Sequence, residues 1–376
     1  MRALLVGGAG FIGTHLARRL AAAGHEVTVL DNLSEQVHGP RAAFPAELHA
    51  VARCVKGDAR RPDDLRPVLK NQETVYWLVA ETGTGQSMYR VGRYVDTNLG
   101  ALAVLCDELV ANRGSVRRVV LTSSRALYGE GAYCCTRHGE VVPRPRSGRD
   151  PVHGWWPGCP VCGGQLQPLP TPETAPTQPG SVYGWTKLGQ EQLLEVVARA
   201  IGVELTVLRC QNVYGPGQAL RNPYTGVLMV FFTRAMAGEP LVLFEDGEIT
   251  RDFVHVTDVV SALEAAGTAA HAGGATFNIG SGVPTTIRRA AETVAAVVGS
   301  GSPITVGAQF RVGDVRYAVA DLTRVTEGLG FRPSVGFGDG IADLLPWVRA
   351  QEAAPDGFSS STTEMARHGL LRGWTV

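Results

Sequence analysis

Short runs of consecutive apolar residues alternate along most of this chain with longer stretches in which apolar residues return every three or four positions. Runs of the first kind occupy 3–6, 26–30, 53–56, 74–79, 118–122, 204–208 and 276–279. Their lack of polar alternation predicts strands covered on both faces. The second kind predicts helices: one carrying Leu16 and Leu20, one opening at Arg61-Pro-Asp-Asp-Leu65, and one over 89–113 with Val95, Leu99, Leu102, Leu105 and Leu109 on one face. Further helices are expected over 182–200, near 227–236 and from Asp258, and a strand pair at 241–244 and 251–254. Such alternation predicts an α/β fold: a doubly wound parallel sheet of Rossmann type, with a smaller mixed α/β lobe built from the later elements.

Two stretches break the rhythm. Residues 130–180 are rich in Pro and Gly and poor in aliphatics, and they read as an insertion. From about residue 351 the chain is polar, which predicts loose ordering apart from a short helix around 363–371.

The first strand runs directly into Gly7-Gly-Ala-Gly-Phe-Ile-Gly13. A turn this tight needs residues without Cβ, so that backbone N–H groups and the positive end of the next helix can touch a pyrophosphate. The second strand ends in Asp31, eighteen positions past Gly13, where a carboxylate can grip a ribose 2′-hydroxyl and repel the 2′-phosphate of NADP. Asp58 closes the third strand, and is either an acceptor for an adenine amino group or a helix cap.

Composition narrows the partners. The chain has 376 residues, enough for one large domain or two interdependent ones. Lys plus Arg and Asp plus Glu balance at 35 each, so no global field draws nucleic acid or a membrane surface, and any anion site is local. No apolar run approaches the roughly 20 residues that span a bilayer. The glycine-rich start is unlike a secretory signal, and the expected setting is cytoplasmic. Four of the seven cysteines crowd into the insertion while Cys54, Cys106 and Cys210 stand apart, which argues against a disulfide framework.

Tyr183-Gly-Trp-Thr-Lys187 opens the 182–200 helix, where a spacing of four puts phenol and ammonium on one face. A free phenol, with a pKa of about 10, is too weak a base at neutral pH. An adjacent Lys⁺ and the positive ring of an oxidised nicotinamide favour the phenolate. Ser124, delivered by the 118–122 strand to the carboxyl edge of the sheet, can hydrogen-bond the same substrate hydroxyl. These parts suit removal of an alcohol proton while hydride leaves the same carbon.

In this order the motifs resemble an extended short-chain dehydrogenase/reductase of the nucleotide-sugar epimerase and dehydratase type, over nearly the whole chain. The family's glycine motif falls on Gly7, Gly10, Phe11, Ile12 and Gly13, its Asp-Asn-Leu on Asp31, Asn32 and Leu33, and its catalytic set on Ser124, Tyr183 and Lys187. The resemblance implies that Asp58, Ala80 and Asn98 also line an NAD site. It implies that Ser124, Arg125, Asn212, Arg251, Arg311 and Asp314 meet a nucleotide-diphosphate sugar, TDP- or UDP-linked, with Asn212 on the diphosphate and Arg251, Arg311 and Asp314 on its phosphates and ribose. The expected division is 1–210 for the NAD-binding unit, with the insertion at 130–180, and mainly 211–376 for the sugar-nucleotide lobe.

Related 4,6-dehydratases carry Asp-Glu directly after the catalytic Ser or Thr; here Arg125 and Ala126 stand there. Many family decarboxylases also have Glu where Ala126 sits. The departure points to a 4-epimerase: Tyr183 takes the C4 hydroxyl proton, NAD the hydride, and the 4-keto sugar turns over and is reduced on its other face. A nucleotide 4-ketosugar reductase is the alternative, and a non-catalytic NAD-binding scaffold the alternative from another class. Family members similar in Ser123-Ser-Arg-Ala-Leu-Tyr-Gly-Glu-Gly131 followed by a cysteine insert include dTDP-L-rhamnose 4-epimerases, whose product is dTDP-6-deoxy-L-talose. A homodimer formed through the 89–113 and 182–200 helices is the family expectation.

In the insertion, Cys135-x-x-His138 and Cys159-Pro-Val-Cys162-Gly-Gly form two hooks suited to one structural zinc ion, with Cys134 and His153 as less well-placed substitutes. By its place after Gly129-Glu130 the insertion is expected over the sugar pocket.

Overall fold

All seven apolar runs lie in one parallel sheet. Its spatial order is Ala275–Ile279, Glu204–Cys210, Arg118–Ser124, Thr74–Trp77, Arg2–Val6, Glu26–Asp31 and Arg53–Lys56. The computed structural model describes residues 1–39, 42–150, 152–220, 224, 226–269, 273–351 and 357–373. Winding proceeds outward in both directions from Arg2–Val6, so a crevice opens between its carboxyl end and that of Thr74–Trp77.

Successive strand residues point to opposite faces. Ala3 and Leu5 pack with Leu16 and Leu20 of the Phe11–Ala22 helix and with Val259 and Leu263 of the Val256–Thr268 helix. Leu4 and Val6 pack on the other side with Leu65, Leu102, Leu105 and Leu194. Both faces are roofed, which is why these strands lack polar alternation. Each buried Leu or Val contributes about 1.5–3 kcal/mol relative to exposure.

The predicted 89–113 helix is Val91–Val95 and Ala101–Asn112 joined by a π-helical turn over Asp96–Gly100. The wider turn carries Asn98 fully into the interior. The Val182–Ile201 helix starts at Ser181, whose Oγ accepts from the Gly184 N–H, and stops at Gly202 in the left-handed region with φ of 66°.

Segments 241–244 and 251–254 do not pair with each other as expected. Leu241–Leu243 runs parallel to Ile304–Val306, and Thr250–His255 lies against Asn212–Tyr214, Pro284–Thr286 and Tyr317–Ala318. The residues between them are committed elsewhere: Glu245, with φ of 55°, and Asp246 both pair with the buried Arg316. The smaller lobe has its own core around Phe231, Phe232, Phe253, Ile341 and Leu344.

Within the insertion, Tyr133–Cys135 lies between Gly139–Val141 and Leu166–Pro168 in an antiparallel three-stranded sheet. The tail is more ordered than its polarity suggests. A helix spans Gly357–Arg367, beginning six residues before the expected one, and Leu371–Arg372 pairs antiparallel with Phe310–Arg311. The rest of that expectation, over 352–356 and 374–376, lies outside the described residues. No helix among the described residues is long and apolar enough to cross a membrane.

Candidate active site

The glycine turn is as tight as its sequence implies. Gly7 holds φ of 80°, and a Cβ there would come within 3.0 Å of the Leu78 and Val79 backbone. A Cβ on Gly13 would stand 2.6 Å from the Gly8 backbone, so only glycine lets the helix approach the strand this closely. Gly10 caps that helix without a side-chain bond, and the helical ladder begins at Thr14 N–H. The N–H groups of Phe11, Ile12 and Gly13 are therefore the ones left for an anion.

A cleft of about 450 Å³ opens beside this turn, bounded by Gly7, Asp31, Asn32, Asp58 and Ala80. Asp31 is buried and accepts from the N–H groups of Ala9 (3.0 Å) and Leu33 (2.8 Å); Asn32 accepts from Ser34 N–H at 3.1 Å. Asp58 lines the cleft but does not cap the Pro62–Leu69 helix, whose N-cap is Arg61 without a side-chain bond; its carboxylate accepts instead from the Arg60 backbone and guanidinium. The bonds from Arg60 hold its carboxyl below the usual range. Asn98, expected at the cofactor, is not among the cleft-lining residues. Its Oδ1 accepts from Glu81 N–H at 2.8 Å and its Nδ2 donates to Thr186 at 2.9 Å, so it fixes the turn after Ala80.

A second cleft of about 350 Å³ shares Gly7, Gly10 and Ala80 with the first and adds Phe11, Ile12, Gly13, Ser124, Tyr183, Lys187 and Asn212. Ser124 Oγ accepts from Ala126 N–H at 3.2 Å and lines the same cleft as the Tyr183 phenol. Lys187 Nζ donates to the Thr122 carbonyl at 2.9 Å, and burial pulls its pKa down to about 8. The protein's own groups do not lower the phenol. Burial pushes Tyr183 up, and the nearby Ser124 hydroxyl and Arg125 charge only partly oppose it. Excluding water from a phenolate outweighs the nearby cations when protein groups act alone.

The third cleft, about 260 Å³, is again lined by Tyr183 and Asn212, together with Arg125, Arg251, Arg311 and Asp314. Arg125 Nε lies 3.3 Å from Asn212 Oδ1, and burial beside Arg251 lowers its pKa to about 9. Arg251 and Arg311 reach opposite oxygens of Asp314 at 2.5 and 2.7 Å. Asp314 therefore clamps two arginines instead of offering a free carboxylate to ribose, because a buried acid between guanidiniums finds its partners there. Those cations hold its carboxyl well below the usual range despite burial. Three cations around one anion leave a local positive excess in a chain of zero net charge.

Sequence reading missed one wall of this cleft: Phe358, Ser361, Thr362 and Met365 of the tail helix. Phe358 and Met365, two turns apart in an otherwise polar stretch, were the only signal in the sequence. Tyr224, also lining, donates to Glu364 of that helix. The insertion departs from its expected position, since none of residues 130–180 is among those lining the three clefts. Its core joins Tyr317, behind the arginines. Cys135, His138, Cys159 and Cys162 converge, with ligand atoms all within 4.8 Å of one another. Cys134 stays outside the cluster, its Sγ on the Cys135 carbonyl. His153 bonds the Gly163 carbonyl instead.

Over residues 3–148 and 160–280 the chain matches the NAD dependent epimerase/dehydratase family. It belongs to that family. The match is interrupted within the cysteine-bearing insertion. Family membership makes this an NAD-dependent enzyme of the extended short-chain dehydrogenase type. A dTDP-L-rhamnose 4-epimerase of Burkholderia thailandensis is 39% identical over 351 residues, 93% of this chain and 95% of that one. A UDP-glucose 4-epimerase of Mycolicibacterium smegmatis is 31% identical over 360 residues, 93% and 99% of the two chains. Among solved structures, UDP-glucose 4-epimerase of Thermotoga maritima with UDP-glucose aligns with a TM-score of 0.75 at 29% identity, covering 93% of this chain and 99% of that one. The NAD complex of the Thermus thermophilus UDP-glucose 4-epimerase aligns at 0.73 and 27% identity, covering 94% and 100%.

Proposed function

We propose that this chain is a cytoplasmic NAD-dependent nucleotide-sugar 4-epimerase, with dTDP-L-rhamnose and dTDP-6-deoxy-L-talose as the first pair to test. The observation that carries the reading is the position of Tyr183, whose side chain borders both the glycine-turn cleft and the arginine-lined cleft. In this reading residues 1–210 hold the dinucleotide: Asp31 at its ribose, Phe11, Ile12 and Gly13 N–H groups at its pyrophosphate, Tyr183 and Lys187 at its reactive end. NAD held there would supply a reversible hydride acceptor for the sugar carbon. Tyr183 takes the C4 hydroxyl proton, Ser124 holds that oxygen, and Lys187 keeps positive charge beside the phenolate. Residues 211–376 mainly hold the diphosphate, through Asn212, Arg251 and Arg311, while Arg125 faces the same cleft beside Asn212. Arg125 and Ala126 offer no acid pair for water elimination, which favours epimerisation over dehydration. The sugar assignment draws on the 39% identical relative.

Purified protein incubated with TDP-, UDP- and GDP-sugars and no reductant is expected to interconvert 4-epimers. Conversion only when NADH is supplied would instead indicate a ketosugar reductase, and inertness toward all a scaffold. Tyr183→Phe is expected to retain bound NAD, read by its release on denaturation, and to lose about 10²–10⁴-fold in turnover.

We also propose one zinc ion at Cys135, His138, Cys159 and Cys162. Tetrahedral zinc, with bonds of about 2.3 Å to sulfur and 2.0–2.1 Å to nitrogen, requires S···S edges near ~3.8 Å and S···N edges near ~3.5 Å. The Cys135–Cys162 sulfurs are 3.8 Å apart, and His138 Nδ1 lies 3.5 and 3.7 Å from the sulfurs of Cys135 and Cys159. A complete Cys₃His set leaves no open position, so the ion would be structural. A homodimer through the Val91–Val95, Ala101–Asn112 and Val182–Ile201 helices accounts for the exposed Val91, Val110, Trp185 and Val196.

A further inference from the structure

Among the described residues the insertion lines none of the three clefts, yet it contributes one of the most buried charges there. The side chain of Arg146 is 3% exposed. Its Nε donates to Glu130 at 2.8 Å, its Nη1 to Glu245 and to the Trp155 carbonyl, each at 2.9 Å, and its Nη2 to the main-chain carbonyl of Asp314 at 3.2 Å. The guanidinium also lies 5.2 Å over the Phe310 ring, against which Trp155 stacks. Glu245 continues the network to Arg316, which pairs with Asp246 and covers Trp156. Two carboxylates thus face Arg146, and two of its three other N–H groups go to main-chain oxygens.

Two of these contacts fall on either side of Arg311. Phe310 precedes it, and Asp314 closes a turn in which Asp314 N–H donates to the Arg311 carbonyl at 3.1 Å. Gly313 sits in that turn with φ of 81°, and a Cβ there would stand 2.6 Å from the Gly180 carbonyl. While the Asp314 carboxylate holds Arg251 and Arg311, its carbonyl is held by Arg146. A rotation of that turn would move both clamp arginines together.

We propose that Arg146 is a positioning residue for the nucleotide-diphosphate clamp, and that the insertion sets the enzyme's affinity for the diphosphate part of its substrate from behind, without touching substrate. The proposal rests on reading Arg251, Arg311 and Asp314 as that clamp. It does not depend on the metal, since Arg146 acts through the contacts just given. Arg146 reaches neither Tyr183 nor the glycine turn, so its effect belongs in substrate affinity, not in the chemical step or in NAD retention.

The test measures thymidine and uridine diphosphate binding to the NAD-loaded protein by calorimetry, together with KM and kcat on the best sugar substrate. Variants are R146K, which keeps a cation for Glu130 and Glu245, R146A, R311A, and the R146K/R311A pair. Expected are about tenfold weaker diphosphate binding and higher KM for R146K, a larger loss for R146A, kcat within about twofold, and unchanged NAD content. The double variant is expected to bind less weakly than the product of the two single losses predicts, because both act on one turn. If R311A binds diphosphate as wild type does, the clamp reading fails. If R311A is weakened but R146K is not, or if the two losses multiply, the clamp stands and the role of Arg146 is overturned. Loss of NAD or of the thermal transition along with diphosphate affinity in R146K would make Arg146 a general brace and likewise overturn it.

Discussion

An ammonium buried as Lys187 is destabilises the fold that carries it. Its pKa near 8 lies below that of an unfolded lysine, about 10.4, so the unfolded chain binds the proton more readily. Stability therefore rises with pH between about 8 and 10.4, and the full penalty applies below 8. Replacing Lys187 with Met is expected to stabilise the protein at pH 7 by an amount on the order of 2 kcal/mol, with the gain shrinking toward pH 10, while turnover falls at least about a hundredfold. Paired thermal melts at the two pH values and an epimer assay would check both halves. The Tyr183–Lys187 spacing was legible because it is local to one helix, as were the glycines, whose need arises within a single turn. The partners of Asp314 were not: a carboxylate's letter carries its charge but not which distant guanidinium folds onto it. Asn98 does lie against the turn that follows Ala80, yet its inward direction depends on a π-helical step that apolar spacing does not encode.

Among elements, the tail helix carries the clearest consequence. Gly357–Arg367 walls the arginine-lined cleft with Phe358 and Met365, and the following strand pairs with Phe310–Arg311, adjoining the clamp. Ending the chain at Ala350 is expected to weaken nucleotide-sugar binding about tenfold or more and leave NAD content unchanged, as read by titration calorimetry and cofactor release. The long apolar strands and the Val182–Ile201 helix were legible from period alone. The tail was not, because its helix is polar on most faces and is held by contacts such as Tyr224 with Glu364 and Tyr89 stacked on His368. The same limit misled the pairing of Leu241–Leu243, whose partner strand lies some sixty residues on.

For the whole molecule, the insertion and the subunit interface yield separate expectations. Metal analysis should return about one zinc per chain, falling below half an equivalent in Cys159→Ser, with a lower thermal transition as the insertion loses its anchor. Sedimentation should give twice the mass of one chain, and Trp185→Glu should shift that toward the monomer. Fold class was legible from strand and helix alternation; the seat of the insertion was not, because it depends on Glu130, Arg146, Glu245 and Arg316 meeting across more than a hundred residues. The order of strands also bears on how the protein is made. Glu204–Cys210 is completed by Ala275–Ile279, whose residues are synthesised last of the seven. Until they leave the ribosome, the nascent sheet presents an open row of amide and carbonyl groups along a long apolar rim. A fragment released at residue 210 should therefore self-associate, and chaperone demand should peak during translation of the sixty-odd residues that follow.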